Sequence, residues 1–142
     1  MTEKKYELFE HTADLGLYIY GRDMEELFDA AAEALIAQIT EPGGIRPAEK
    51  RRIEVKAVSA DELLRSWMAE ILYLYNAEGW LTGAVSFEHL DKSSLTGVLL
   101  GEELDPARHE VAGELKAVTW HRLKIERLEP CGLLRATVVC DV

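Results

Sequence analysis

Hydrophobic residues recur about every 3.6 positions in residues 23–39, and a capping pattern precedes them. Asp23 and Glu26 have the spacing of a capping box. The pattern predicts an amphipathic helix that ends before the Pro-Gly-Gly stretch at 42–44. Its predicted core-facing positions are Met24, Leu27, Phe28, Ala31, Leu35 and Ile39.

A second helical pattern occupies residues 59–79. Ser59 and Glu62 repeat the capping-box spacing, and Gly79 suits the C-terminal cap. The segment is again amphipathic, so both predicted helices need a sheet to cover their apolar faces. The apolar positions are Leu63, Leu64, Trp67, Ile71, Leu74 and Tyr75.

The remaining apolar segments are typical of β-strands, because they are short and several alternate with period two. Residues 83–90 and 94–101 are predicted to form a hairpin through Asp91, Lys92 and Ser93. With few helices and many strands, we predict an α+β fold, a two-layer sandwich with both helices on one face of a largely antiparallel mixed sheet. The other strands are predicted at 5–10, 15–20, 52–58, 114–120, 122–128 and 133–142.

Length and charge restrict the class of protein. A chain of 142 residues with 48% hydrophobic and 30% charged residues fits one globular domain. We take it as residues 1–142, with 80–112 as an inserted hairpin and loop subunit and 101–110 as a polar loop that is either functional or a plain connector. The net charge of −10 disfavours direct binding of nucleic acid or anionic lipid. Without a signal-peptide or membrane-spanning pattern, we expect a cytoplasmic protein.

Motifs for nucleotide binding and for common catalysis are missing. The glycines at 43–44 lack a following G-K-[ST], and no G-x-S-x-G occurs. Cys131 and Cys140 are not spaced for a disulfide framework or for zinc, and the histidines lack zinc spacing. We therefore predict no catalytic residue and no direct nucleotide site, and we expect Cys140 to be buried.

Acidic residues mark the start of the second predicted strand and the end of the last one. Asp14 lies in the stretch EHTADLG, and Asp141 follows an apolar strand that we expect to be central, next to Val142. Carboxylates that meet at one sheet edge repel one another unless a cation compensates, so they form a candidate metal site. On these residues alone, the simpler interpretation is that Asp14 caps a turn and Asp141 is a solvated strand end.

Lys116 and His121 belong to the segment GELKAVTWHRLKIE. Their offset of five places them on opposite faces of an extended strand, so only a bend after Thr119 would bring them to one site. Each residue alone is more simply explained, Lys116 as a solvated strand lysine and His121 as a turn residue.

Several of these motifs together resemble the archease family. They are FEHTADLGLYIYG at the start, EELFDAAAEAL after it, ELKAVTWHRLKIE late in the chain, and an apolar final strand with a penultimate Asp. They cover nearly the whole chain in the family's order. The resemblance implies a non-enzymatic accessory protein that activates an RtcB-type RNA ligase in tRNA splicing. It would promote the ligase's guanylylation and multiple turnover, and would contact RNA only indirectly.

The resemblance also implies roles for individual residues. Asp14 and Asp141, with Val142 alongside, would hold a divalent cation (Ca²⁺, Mg²⁺ or Mn²⁺), and Lys116 would act on the partner. Glu10, His11 and His121 would be supporting residues around the site. The chain departs from the common family pattern at Leu15 and at Trp120-His121-Arg122, which affects only local packing.

Two other functions are consistent with the residues. A metal-dependent phosphohydrolase would use the same two aspartates, although a second set of metal ligands and a general base are lacking. A general chaperone-like module would bind proteins with or without a structural metal.

Overall fold

The described part of the chain folds into two α-helices and eight β-strands. The structure is a computed structural model that describes residues 5–11 and 14–142, with only the backbone for Glu10 and His11. Within this part, no helix is long and apolar enough to cross a membrane. The elements are β1 (Tyr6–His11), β2 (Asp14–Gly21), α1 (Met24–Ala37), a 3-10 turn (Pro42–Gly44), β3 (Glu49–Lys56), α2 (Ala60–Glu78), β4 (Trp80–Leu90), β5 (Ser94–Glu103), β6 (Ala117–Val118), β7 (Lys124–Arg127) and β8 (Leu134–Asp141).

The strands form two antiparallel sheets. In the first, the order is β1-β2-β8-β6, and β7 also pairs with β8; in the second, the order is β3-β5-β4. The predicted α+β class is confirmed, but the expectation of a single mixed sheet is wrong. Period-two alternation shows that a segment has one buried face, but it does not show which strand is its neighbour.

Helix α1 contacts strands of both sheets, chiefly β2 and β4. The expectation that both helices cover one face of one sheet is therefore also corrected. Contact on two sides explains why so much of α1 is buried. Its small residues allow close approach of neighbouring backbone on these sides. The buried residues of α1 are Leu27, Phe28, Ala30, Ala31, Ala32, Ala34, Leu35 and Ile36.

Both predicted helix starts are confirmed. Asp23 Oδ1 accepts a hydrogen bond from the Glu26 amide at 2.9 Å, and Ser59 Oγ accepts one from the Glu62 amide at 3.2 Å. The carboxylate of Glu26 accepts from the amide and guanidinium of Arg22, one residue before the cap. These side chains satisfy amides that the first helical turn leaves without intrahelical partners.

The predicted end of α2 is also confirmed. Gly79 has φ +66°, and its amide donates to the Tyr75 carbonyl oxygen at 2.9 Å. A residue with a Cβ would be strained in this left-handed conformation, so glycine stops the helix at low cost and the chain turns directly into β4.

The predicted hairpin of residues 83–90 and 94–101 is confirmed as β4 and β5, and β4 begins earlier than predicted, at Trp80. β5 lies between β4 and β3. Trp80, Leu81, Leu95 and Leu99 belong to the same buried cluster as the helices. A separate subunit over 80–112 stays a prediction.

Trp67 connects α2 with α1 and with the second sheet. Its side chain is fully buried, and its Nε1–H donates to the Phe28 carbonyl oxygen at 2.9 Å. Its ring lies 5.1 Å from that of Phe87, centroid to centroid. Gly97 on β5 provides the space, since a Cβ there would lie 2.5 Å from the indole. Because Gly97 has no side chain, Trp67 can pack directly against β5.

β8 is the central strand of the first sheet, as its apolar sequence predicted. It pairs with β2 on one side and with β6 and β7 on the other. The side chains of alternate residues face the helices and belong to the core. They are Leu134, Ala136, Val138 and Cys140.

We expect Trp67→Ala to destabilise the protein by about 3–5 kcal/mol, because the change leaves a cavity between three elements and removes the bond to Phe28. Urea unfolding followed by circular dichroism measures the loss. Tyr73→Ala is the matched control, since Tyr73 lies on the same helix and is 58% exposed. A loss below about 1 kcal/mol for Trp67→Ala would contradict the assigned core.

Candidate functional site

Two aspartates meet at one end of the first sheet. β2 begins at Asp14, β8 ends at Asp141, and the two strands pair with Leu15 opposite Cys140. Continuing this register by one residue sets Asp14 opposite Asp141. Opposite Cα atoms in an antiparallel pair are about 4.5–5.5 Å apart, and their side chains lie on the same face. The two carboxylates, which are far apart in the sequence, are therefore neighbours.

Lys116 lies on the other side of Asp141. The Lys116 amide donates to the Asp141 carbonyl oxygen at 2.7 Å, and the next residue, Ala117, pairs with Asp141. The side chains of Lys116 and Asp141 are exposed, Asp14 is half-buried, and Val142 is 44% exposed. Two of the predicted site residues thus come from paired strands, and the third directly precedes the neighbouring strand β6, so all three lie at one end of the sheet. We call this end the acidic tip (Asp14, Lys116 and Asp141).

The described residues contain no group of three or more His, Cys, Asp or Glu side chains that could hold a metal ion. The predicted supporting residues Glu10 and His11 are in β1, and His11 pairs with Asp14. Their side chains lie outside the described residues. The acidic tip therefore contributes two described carboxylates.

The segment after Lys116 is a short strand followed by a turn, whereas a strand over 114–120 had been predicted. The strand ends at Val118, and Thr119 is still hydrogen-bonded to β8, since both its amide and its hydroxyl donate to the Val139 carbonyl oxygen, at 3.0 and 2.8 Å. The His121 amide then donates to Thr119 Oγ1 at 3.2 Å, and Arg122 has φ +57°. The chain therefore bends after Thr119, as an approach of Lys116 and His121 would require. The His121 side chain is exposed.

The sequence did not indicate an aromatic–cation pair beside the tip. The guanidinium of Arg65 on α2 lies 3.7 Å from the centroid of the Trp120 ring. Trp120 lies two residues after the end of β6, the strand that starts next to Lys116. The two residues come from distant parts of the chain, so no local pattern could reveal the pair; the only signal was a tryptophan in a polar segment.

The polar segment at 101–110, whose first three residues belong to β5, is held by hydrogen bonds of its own side chains. Glu102 is buried, and its carboxylate accepts from the Arg46 amide at 2.7 Å, from Arg108 Nη2 at 2.5 Å and from His109 at 3.0 Å. Because the Asp105 amide donates to His109 Nδ1 at 2.8 Å, the ring proton is on Nε2 and points to Glu102. These polar groups supply one another's hydrogen-bond partners, as expected for a structural connector.

This network lowers the pKa of Glu102 to about 2. The main cause is the hydrogen bond from the Arg46 amide; burial opposes it, and the bonds from Arg108 and His109 add to it. The negative charge is therefore the form that the fold stabilises.

The sequence was compared with those of known proteins. Residues 6–142 match the sequence profile of the Archease protein family (MTH1598/TM1083). The chain belongs to the archease family. The archease of Pyrococcus furiosus is 41% identical over 142 residues, covering 98% of this chain and 99% of that protein. The archease of Methanothermobacter thermautotrophicus is 36% identical over the same shares.

Solved structures agree with this family assignment. The solution structure of protein 1598 from Methanobacterium thermoautotrophicum has a TM-score of 0.78 at 35% identity, covering 97% of this chain and 99% of that one. The crystal structure of a Thermotoga maritima protein, described as an archease and possible chaperone, has a TM-score of 0.66 at 24% identity and shows the same fold. The archease match spans every motif on which the resemblance was based.

We expect Glu102→Gln to remove part of the acid sensitivity of folding. A carboxyl group with a lowered pKa stabilises the fold fully above its unfolded pKa, about 4.3, and this contribution disappears as the pH falls towards about 2. The wild type should therefore be more stable than the variant at pH 7, and the difference should shrink between pH 5 and 2. Urea unfolding at several pH values measures it.

Glu103→Gln is the control, since the neighbouring Glu103 side chain is exposed. A difference between the wild type and Glu102→Gln that stays constant across this pH range would contradict the role of the network.

Proposed function

We propose that this chain is a non-enzymatic, divalent-cation-binding accessory protein that activates an RtcB-type RNA ligase in tRNA splicing. It would promote guanylylation of the ligase and its multiple turnover. The observation that supports the proposal is the convergence of Asp14, Asp141 and Lys116 at one sheet end in an archease-family chain. These are the residues to which the family resemblance assigned the cation and the action on the partner.

The chemistry of the two carboxylates fits a hard cation. Opposed like charges on neighbouring strands destabilise a sheet, and a divalent ion that accepts oxygen ligands removes this repulsion. Asp14 and Asp141 would hold the ion, with Val142 alongside. Ca²⁺, Mg²⁺ and Mn²⁺ suit such ligands better than zinc does. When bound, the ion supplies positive charge that compensates phosphate charge; Glu10, His11 and His121 are proposed to orient the site.

The chain's own residues position charge and leave catalysis to the ligase. Lys116 is exposed and its backbone is held against β8, so its ammonium can meet a phosphate or an acidic ligase residue. Burial raises the pKa of the Cys140 thiol to about 12, so this cysteine provides no thiolate nucleophile at neutral pH.

The overall charge favours a protein partner with a basic surface. A net charge of −10 accelerates approach to a cleft that binds RNA and GTP, and it opposes extensive contact with RNA itself. We therefore propose that RNA is contacted only indirectly, that this chain binds no nucleotide, and that it acts in the cytoplasm with the ligase.

The cation proposal predicts that Asp14→Asn and Asp141→Asn each weaken binding of Ca²⁺ and Mn²⁺ by at least about tenfold, because each change removes a charged ligand. Isothermal titration calorimetry measures the affinity, and Glu103→Gln is the control. Wild-type affinity in both aspartate variants would contradict a shared site.

The activation proposal predicts that Asp14→Ala, Asp141→Ala and Lys116→Ala remain folded but lose stimulation of ligase guanylylation. The assay quantifies guanylylated ligase and sealed RNA over many turnovers with substoichiometric activator. Glu103→Ala, an exposed acidic residue in the other sheet, should stimulate like the wild type.

Full stimulation by all three variants, or guanylylation of this protein itself, would overturn the proposal. Phosphate release from small phosphorylated substrates, dependent on Mg²⁺ and on Asp14, would support the phosphohydrolase alternative. Prevention of aggregation of unrelated proteins without stimulation of the ligase would support a chaperone-like role.

A further inference from the structure

Trp120 is a large aromatic side chain left on the surface. It is 61% exposed, whereas the other two tryptophans, Trp67 and Trp80, are fully buried. Tryptophan is the residue most enriched among those that dominate the binding energy of protein interfaces. An exposed indole next to a candidate functional site therefore requires an explanation.

Trp120 is held in place without being covered. Arg65 stacks on one face of its ring at 3.7 Å, and Arg65 itself is only 16% exposed. The Arg65 guanidinium donates to the Val118 carbonyl oxygen at 3.3 Å and lies 3.6 Å from Glu62. The indole is thus oriented before any partner arrives, which reduces the conformational entropy lost on binding.

The backbone around Trp120 is fixed as well. The Thr119 hydroxyl donates a hydrogen bond to the Val139 carbonyl oxygen of the central strand, and the Leu123 amide donates one to the Trp120 carbonyl oxygen at 3.2 Å. Trp120 follows Ala117, the partner of Asp141, by three residues, or roughly 10 Å of extended chain. The indole and the acidic tip therefore belong to one rigid part of the surface.

The overall charge of the chain favours a protein partner over nucleic acid. The charges nearest the indole are of both signs, since Glu62 lies in the first turn of α2 beside Arg65, and Arg122 and Lys124 follow Trp120 in the chain. The net charge of −10 repels phosphate backbones, whereas an apolar pocket beside a basic cleft is complementary to an exposed indole on an acidic protein.

We infer that Trp120, stacked on Arg65, is the anchor by which this chain docks into an apolar pocket of its protein partner. The inference rests on the proposed function, since the partner is the ligase. Docking and activation are then assigned to different residues: Trp120 supplies affinity, while Asp14, Asp141 and Lys116 supply the effect on the reaction.

The assignment of docking and activation to different residues is tested by titrating the ligase with activator and measuring initial guanylylation rates. Trp120→Ala should raise the half-saturating concentration by at least about tenfold and leave the maximal rate unchanged. Asp141→Ala should lower the maximal rate. Tyr73→Ala is the control: it removes an exposed aromatic side chain of α2 and should behave like the wild type.

A second measurement follows the indole directly. In protein labelled with 5-fluorotryptophan, three ¹⁹F resonances are expected, and Trp120→Phe identifies one of them. Its solvent isotope shift between H₂O and D₂O should be large in the free protein and should disappear on addition of unlabelled ligase, because the indole becomes buried. The signals of Trp67 and Trp80 should show no such shift in either state.

The outcomes distinguish the two proposals. If the wild type stimulates the ligase and Trp120→Ala has an unchanged half-saturating concentration, the docking inference fails and the proposed function stands. A lowered maximal rate in Trp120→Ala, or loss of the isotope shift with single-stranded RNA alone, would also overturn the inference. If the wild type does not stimulate the ligase at any concentration, the proposed function itself fails.

Discussion

The pairing of β8 on both of its edges is the interaction on which the rest of this structure depends. The strand is bonded to β2 along one edge and to β6 and β7 along the other, and one of its faces lies in the core. Removing it would separate the N-terminal hairpin from the late strands. Because its last residue is Asp141, the same pairing brings Asp14 and Lys116 to one place.

The second sheet and the helices support this strand from the core side. α1 contacts both sheets, and Trp67 passes from α2 to β5 through the space above Gly97. A single buried cluster therefore links the two sheets. The two aspartates of the acidic tip are strand residues and the Lys116 amide is hydrogen-bonded to Asp141, so backbone pairing sets their positions.

Charge is distributed differently around Glu102 and at the acidic tip. Near the end of β5, Glu102 accepts hydrogen bonds from three donors, and its lowered pKa reflects a charge that these donors stabilise. At the acidic tip, two aspartates face each other across a ladder, beside an exposed lysine. The donors around Glu102 all belong to this chain, whereas the acidic tip is the place proposed to take a cation and a partner. The stacked Trp120 beside it extends this surface with an apolar contact.

Local features of the chain were predictable from the sequence alone. The helix starts at Asp23 and Ser59 and the glycine end of α2 depend on hydrogen bonds within a few residues, so their patterns are legible in short stretches. The β4–β5 hairpin could be inferred from the short turn segment at 91–93, and the central position of β8 from its run of apolar residues. The candidate residues Asp14, Asp141 and Lys116 were also selected from sequence, through the family motifs that contain them.

The tertiary structure alone decided which strands are neighbours. Alternating hydrophobicity identifies a buried face but carries no information about the partner, so the division into two sheets and the contacts of α1 with both were not predictable. Strand β6 is shorter than its sequence suggested: Thr119 stays hydrogen-bonded to one carbonyl oxygen of β8, and the chain then turns at His121 and Arg122. The Arg65–Trp120 stack depends in the same way on a long-range contact. The sequence thus determined most of the helices and strands and the functional side chains that they carry. The pairing of distant strands, which depends on packing of the whole core, determined which of these side chains lie close together.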